Sequence, residues 1–153
     1  MFRGGNGNDI YRWSFGDGRD LIIEQNTLVN TIAQPDLRDE SVDILEIRDP
    51  TAALDSLEDD FTFRRFGDDL RIDLTFNQGP GQGTVTIRDF ANEDSQVERL
   101  RLFDSQGLQI SEVDLTSIFD AATTQPQRFA VTGTALIDPN DVNAGVIGIA
   151  TPV

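Results

Sequence analysis

Leu70, Ile72, Leu74 and Phe76 alternate strictly with Arg71, Asp73 and Thr75. A period of two sends successive side chains to opposite faces of an extended chain, so this run reads as a strand with one buried face. The same rhythm recurs at Phe61-Thr62-Phe63, at Val85 and Ile87 up to Phe90, and at Val97, Leu100 and Leu102. Turn residues punctuate the runs at Gly67-Asp68-Asp69, between Asn77 and Gly83, and at Ser105-Gln106-Gly107. Val42–Ile47 is a further short strand candidate, and Leu108 with Ile110 a short return strand. The alternation predicts antiparallel hairpins over residues 61–110. Phe63, Leu70, Ile72, Leu74, Phe76, Val85 and Ile87 are expected inside, with Arg71, Asp73 and Thr75 on the opposite face.

Near Asp114 the rhythm changes. Leu115, Ile118, Phe119 and Ala122 have helical spacing, with Ser111 or Asp114 placed to cap, which predicts one short helix near 114–121. Thr51 to Asp60 has room for one helical turn. Residues 27–41 lack a period and read as a connector. After Ala121 only Arg128, Asp138 and Asp141 carry charge, while Pro126, Pro139 and Pro152 interrupt the apolar runs. Four segments result: 1–26, rich in Gly and Asp; the connector 27–41; an antiparallel β domain, 42–122; and 123–153, a C-terminal tail or added strand. The tail is expected to stay outside the core, and an exposed edge on it would permit a monomer or a weak dimer.

The charge balance limits partners. Against 27 acidic residues stand 12 basic ones, every one an Arg, for a net charge of −15. Such a chain repels nucleic acid and anionic membranes and attracts cations. No stretch approaches a membrane span. With neither Cys nor His, the usual ligands for zinc, copper, haem and iron–sulfur clusters are missing, and a Ser-His-Asp triad cannot be assembled. What remains is oxygen chemistry. Twenty of the 27 acids are Asp, the short carboxylate suited to turns and to tight cages for hard cations.

Gly4-Gly5-Asn6-Gly7-Asn8-Asp9-Ile10-Tyr11-Arg12 fits the nonapeptide pattern GGxGxDxUx, with Tyr11 in the apolar slot. Gly16-Asp17-Gly18-Arg19-Asp20-Leu21-Ile22 fits part of it again, with Asp20 eleven residues after Asp9. The glycines let the backbone turn with positive φ and aim carbonyl oxygens inward, while Asp adds a carboxylate. Calcium takes six to eight such oxygens. The candidate metal-binding residues are therefore Gly5, Gly7, Asp9, Gly16, Asp17, Gly18, Asp20 and Glu24.

These residues carry a family resemblance. Residues 4–24 look like the last turns of the β-roll of repeats-in-toxin (RTX) proteins. FTFRRFGDDLRIDL (61–74), GTVTIRDF (83–90) and VERLRLFDSQGLQISEVDLTSIF (97–119) resemble the haemolysin-type calcium-binding-related region that follows such repeats. The resemblance implies an all-β fold: the end of a calcium-binding parallel β-roll leading into an antiparallel β-sandwich. It also implies a secreted protein, extracellular or at the cell surface, with calcium-dependent folding and type I secretion through the parent chain's export apparatus. Departures are the eleven-residue spacing and the presence of two loops where the family strings several. In a β-roll a calcium ion sits between loops on the same side. Asp9 and Asp20 are therefore expected to serve different ions, in half-sites completed by residues upstream of Met1 or by Asp17 and Glu24.

The leading expectation is a non-catalytic module that folds on extracellular calcium and supports secretion. The alternative is a calcium-dependent adhesion module that binds a carbohydrate or protein ligand, for which an exposed aromatic near the cation would speak. A hydrolase would need two carboxylates facing one cleft, and no pair in the sequence marks itself out. Trp13, with Phe15, is expected to cap the end of the roll rather than to serve as a sugar platform.

Overall fold

The computed structural model describes residues 1–14, 16–24, 42–48, 60–74, 83–136 and 146–153. The connector 27–41, Phe15, Thr75, Phe76 and most of the candidate turn at Thr51–Asp60 lie outside the described residues. The chain is predominantly β. Its strands are β1 (Phe2–Arg3), β2 (Ile10–Ser14), β3 (Gly18–Ile23), β4 (Ile44–Arg48), β5 (Phe61–Phe66), β6 (Asp69–Leu74), β7 (Gly83–Ile87), β8 (Arg99–Phe103), β9 (Gln109–Asp114), β10 (Phe129–Leu136) and β11 (Val146–Pro152). A helix, α1 (Leu115–Ala121), follows β9 directly.

These strands form two sheets, ordered β1-β3-β7-β6-β5 and β10-β11-β9-β8-β4-β2. The chain crosses between them: β1 and β3 lie in the first sheet, β2 and β4 in the second, then β7 in the first and β8 in the second. Within each sheet those strands run parallel, in register Ile10↔Ile44↔Arg99 on one side and Gly18↔Gly83 on the other. The hairpins β5–β6 and β8–β9 are antiparallel, and β6 also pairs antiparallel with β7. The purely antiparallel sandwich expected after residue 42 is thus corrected. β4, β7 and β8 pair in parallel with strands of the first 24 residues because the connections between them are long enough to cross over, whereas two-residue turns force reversal.

One core fills the space between the sheets. Ile22, Phe61, Phe63, Leu70, Ile72, Val85 and Ile87 from the first meet Tyr11, Trp13, Leu45, Ile47, Leu100, Leu102 and Val113 from the second. The alternation therefore located the inner face, except that Leu74 is only partly buried. Trp13 is buried. Its indole lies over Gly83 so closely that any β-carbon there would collide with the ring.

The outer faces carry ion pairs in register. Across the second sheet Arg12, Glu46, Arg101 and Glu112 are direct neighbours on β2, β4, β8 and β9, an alternation of sign that makes each cross-strand contact attractive. Arg12 donates to Glu46 at 3.0 Å, while Arg99 and Arg101 donate to Glu112 at 3.2 and 3.1 Å. On the first sheet, Asp73 accepts from Arg64, Arg71 and Thr84. Burial favours the protonated carboxyl, but these three donors outweigh it and hold Asp73 below the ordinary carboxylate range.

Helix α1 begins where Asp114 accepts from the Thr116 N–H at 2.8 Å, the cap the sequence offered. Leu115, Ile118 and Phe119 are its buried side. The segment after Ala121 is no loose appendage. Phe129 is fully buried, edge-on to Phe63 with ring centroids 5.5 Å apart, and β11 joins β10 to β9. The expectation of a tail outside the core is corrected: a strand-forming segment with few charges adds to the edge of the second sheet at β9 and buries Phe129.

Candidate metal centre

The parallel crossing places equivalent residues side by side. Asp9, Asp43 and Glu98 each stand immediately before a strand of the second sheet, β2, β4 and β8 respectively. The main chains of the first two donate to the side chain of the next. The Asp9 N–H donates to Asp43 Oδ1 at 2.7 Å, and the Asp43 N–H donates to Glu98 Oε2 at 2.7 Å. The ladder continues along the backbone, the Ile44 N–H donating to the Asp9 carbonyl at 2.9 Å. The glycine-rich turn wraps Asp9 from the other side. Gly5 N–H donates to Asp9 Oδ2 at 3.0 Å, and Gly7 turns the chain with φ of 104°.

Glu24 comes from the first sheet, at the end of β3, and meets this ladder. Carboxylate oxygens of Asp9, Glu24 and Asp43 all lie within 4.8 Å of one another, able to hold a metal ion. Ligands across a calcium shell are separated by about twice the ion–oxygen distance, roughly 5 Å, so the cluster has the right span for a hard cation. Glu24 and Asp43 are only 3% and 4% exposed. Carboxylates brought so close repel one another, and a divalent cation would reverse the sign of that interaction.

Tyr11 closes the floor. Its hydroxyl donates to Glu24 Oε2. Burial pushes the phenol well above its ordinary value; the bond to Glu24 and the charges of Glu24, Asp43 and Asp9 push it further, so it remains a neutral donor. A β-carbon at Gly4 would collide with the Tyr11 hydroxyl and the Glu24 carboxylate, so a larger residue there would push both aside.

Of the residues the sequence nominated, Gly5, Gly7, Asp9 and Glu24 come together at this end. Gly16, Asp17, Gly18 and Asp20 do not. Gly16, Asp17 and Gly18 lie at the far end of β2, about five residues or roughly 16 Å of strand away. Asp17 accepts from the Ser14 N–H at 2.8 Å in a turn where Gly16 and Gly18 take φ of 95° and 81°. Asp20 sits within β3 and pairs with the Met1 amino group at 2.8 Å. β3 begins at Gly18, two residues before Asp20, so the second aspartate falls inside a strand instead of in a loop. Asp43 was not nominated, yet Asp43-Ile44 repeats the Asp9-Ile10 step into a strand, and that was the signal available.

No family model, no curated protein and no solved structure matches the chain.

Proposed function

We propose that the chain is a non-catalytic calcium-binding module from the C-terminal part of a secreted RTX protein, folding on extracellular calcium and supporting type I secretion. The observation that carries this reading is the Asp9–Glu24–Asp43 cluster, which gathers carboxylates at one end of β2, β3 and β4, strands that alternate between two sheets and pair in parallel within them. In this reading β1–β4, β7 and β8 are the end of a parallel β-roll, and the ion ties the ends of both sheets together. At the low calcium concentration of a cytosol, a chain of net charge −15 with clustered carboxylates resists compaction. Extracellular calcium near the ~10⁻⁴–10⁻³ M affinity of such modules neutralises the cluster, and the binding free energy becomes folding free energy.

Isothermal calorimetry tests it. Calcium uptake is expected for the wild type and is lost in Asp9→Ala and Asp43→Ala, while Asp17→Ala and Asp20→Ala retain it. Circular dichroism is expected to show more strand and a higher melting temperature with calcium than with a chelator. Absence of uptake, or uptake indifferent to Asp9 and Asp43, refutes the reading.

A further inference from the structure

A cavity of about 650 Å³ opens where the parallel strands of the first sheet end, walled by Arg3 at the end of β1, Glu24 after β3, Arg88 and Asp89 after β7, and Phe66 and Asp68 at the β5–β6 turn. Its size is that of a small-molecule pocket. From these walls we infer that the cavity binds a neutral saccharide.

Three of the charged side chains at this cavity, Arg3, Asp68 and Arg88, make no side-chain hydrogen bond or ion pair with other described residues, although most arginines on the two sheets are engaged. Donors and acceptors therefore stand open on the same cavity. Phe66 is 44% exposed there, an aromatic face beside polar groups, with the Arg64 guanidinium 5.3 Å from its ring centroid. Asp89 holds φ of 57°, uncommon for a residue other than glycine, fixed by its N–H donating to Asp69 Oδ1 at 2.8 Å. Such a held conformation is the kind found at ligand sites.

The mixture of charges selects the ligand. An anion would meet Glu24, Asp68 and Asp89 together with Asp69, and a cation would meet two open guanidinium groups. A neutral ring with neighbouring hydroxyls suffers neither repulsion. Its hydroxyls donate to the carboxylates and accept from Arg3 and Arg88, and the C–H face of a pyranose suits the exposed ring of Phe66. Glu24 belongs both to this wall and to the Asp9–Glu24–Asp43 cluster, so a bound cation would fix one side of the cavity.

The test is a printed array of neutral hexose, deoxyhexose, amino-sugar and uronate oligosaccharides, probed with the full chain in calcium-containing buffer. Retention on at least one neutral class is expected. Phe66→Ala and Arg88→Ala, both at exposed positions that leave the fold intact, are each expected to weaken it at least tenfold. No retention, retention on uronates or amino sugars alone, or retention indifferent to both substitutions overturns the inference. Calcium calorimetry on the same samples separates the two claims. Uptake without sugar retention overturns only the saccharide site, and retention without uptake overturns only the calcium reading.

Discussion

Adding one methyl group at Gly83 tests the packing between the two sheets. In Gly83→Ala the new β-carbon would overlap Cη2 and Cζ2 of Trp13 and lie 3.5 Å from Cζ3. Gly83 is not in the left-handed region, so alanine meets no backbone barrier there. On conformational grounds alone the change would stabilise by about 0.4–1 kcal/mol, since alanine restricts the unfolded chain. Against this stands overpacking of a fully enclosed indole, typically about 1–3 kcal/mol. Backbone and ring rigidity leave nothing flexible to yield, so the clash wins and the net loss is on the order of 1–2 kcal/mol. For a chain of this size that corresponds to a melting point lower by about 2–8 °C. Trp13 is the single tryptophan, so its fluorescence and the strand signal in circular dichroism both report the transition. In a Trp13→Leu background the same methyl group has no ring to meet, and its penalty should vanish, a coupling of about 1–3 kcal/mol. A Gly83→Ala protein that melts at or above the wild type refutes the argument. So does a penalty that persists unchanged in Trp13→Leu.

Further outcomes follow from the ion pairs and the core. Glu112→Ala strands Arg99, whose side chain is 10% exposed, and should cost about 3–5 kcal/mol in chemical denaturation. Asp73 is held below its unfolded value, so its contribution is present above about pH 4 and fades as pH falls through its folded pKa. The stability gap between wild type and Asp73→Asn should therefore be open at pH 7 and close on acidification toward pH 3, followed by melting temperature across that range. Phe129→Ala should cost about 3–5 kcal/mol, since the ring is fully buried against Phe63; a neutral result would restore the view of residues 123–153 as an appendage.

What the sequence determined on its own is local. Period-two alternation needs only the pleat of a strand, and it located the inner face at Phe63, Leu70, Ile72, Val85 and Ile87. The Gly67-Asp68 reversal between β5 and β6 and the Asp114 cap rest on backbone geometry within four residues, and both were legible. So was the Gly5–Asp9 turn, where Gly5 bonds back to Asp9. Partners distant in sequence were not legible. Alternation states which face is buried but not which strand lies alongside, so the parallel pairing of β2 with β4 and of β3 with β7 appeared only with the fold. The metal cluster illustrates the difference. Asp9 was found through its motif and Glu24 as a residue able to complete a half-site, but Asp43 reaches them only because β4 lies in register beside β2. Asp17 and Asp20 matched the pattern yet stand elsewhere, because register and strand length, not residue type, decide which carboxylates converge. Phe129 entered the core for a comparable reason: burying a large apolar ring is favourable wherever space exists, and only the assembled sheets define that space.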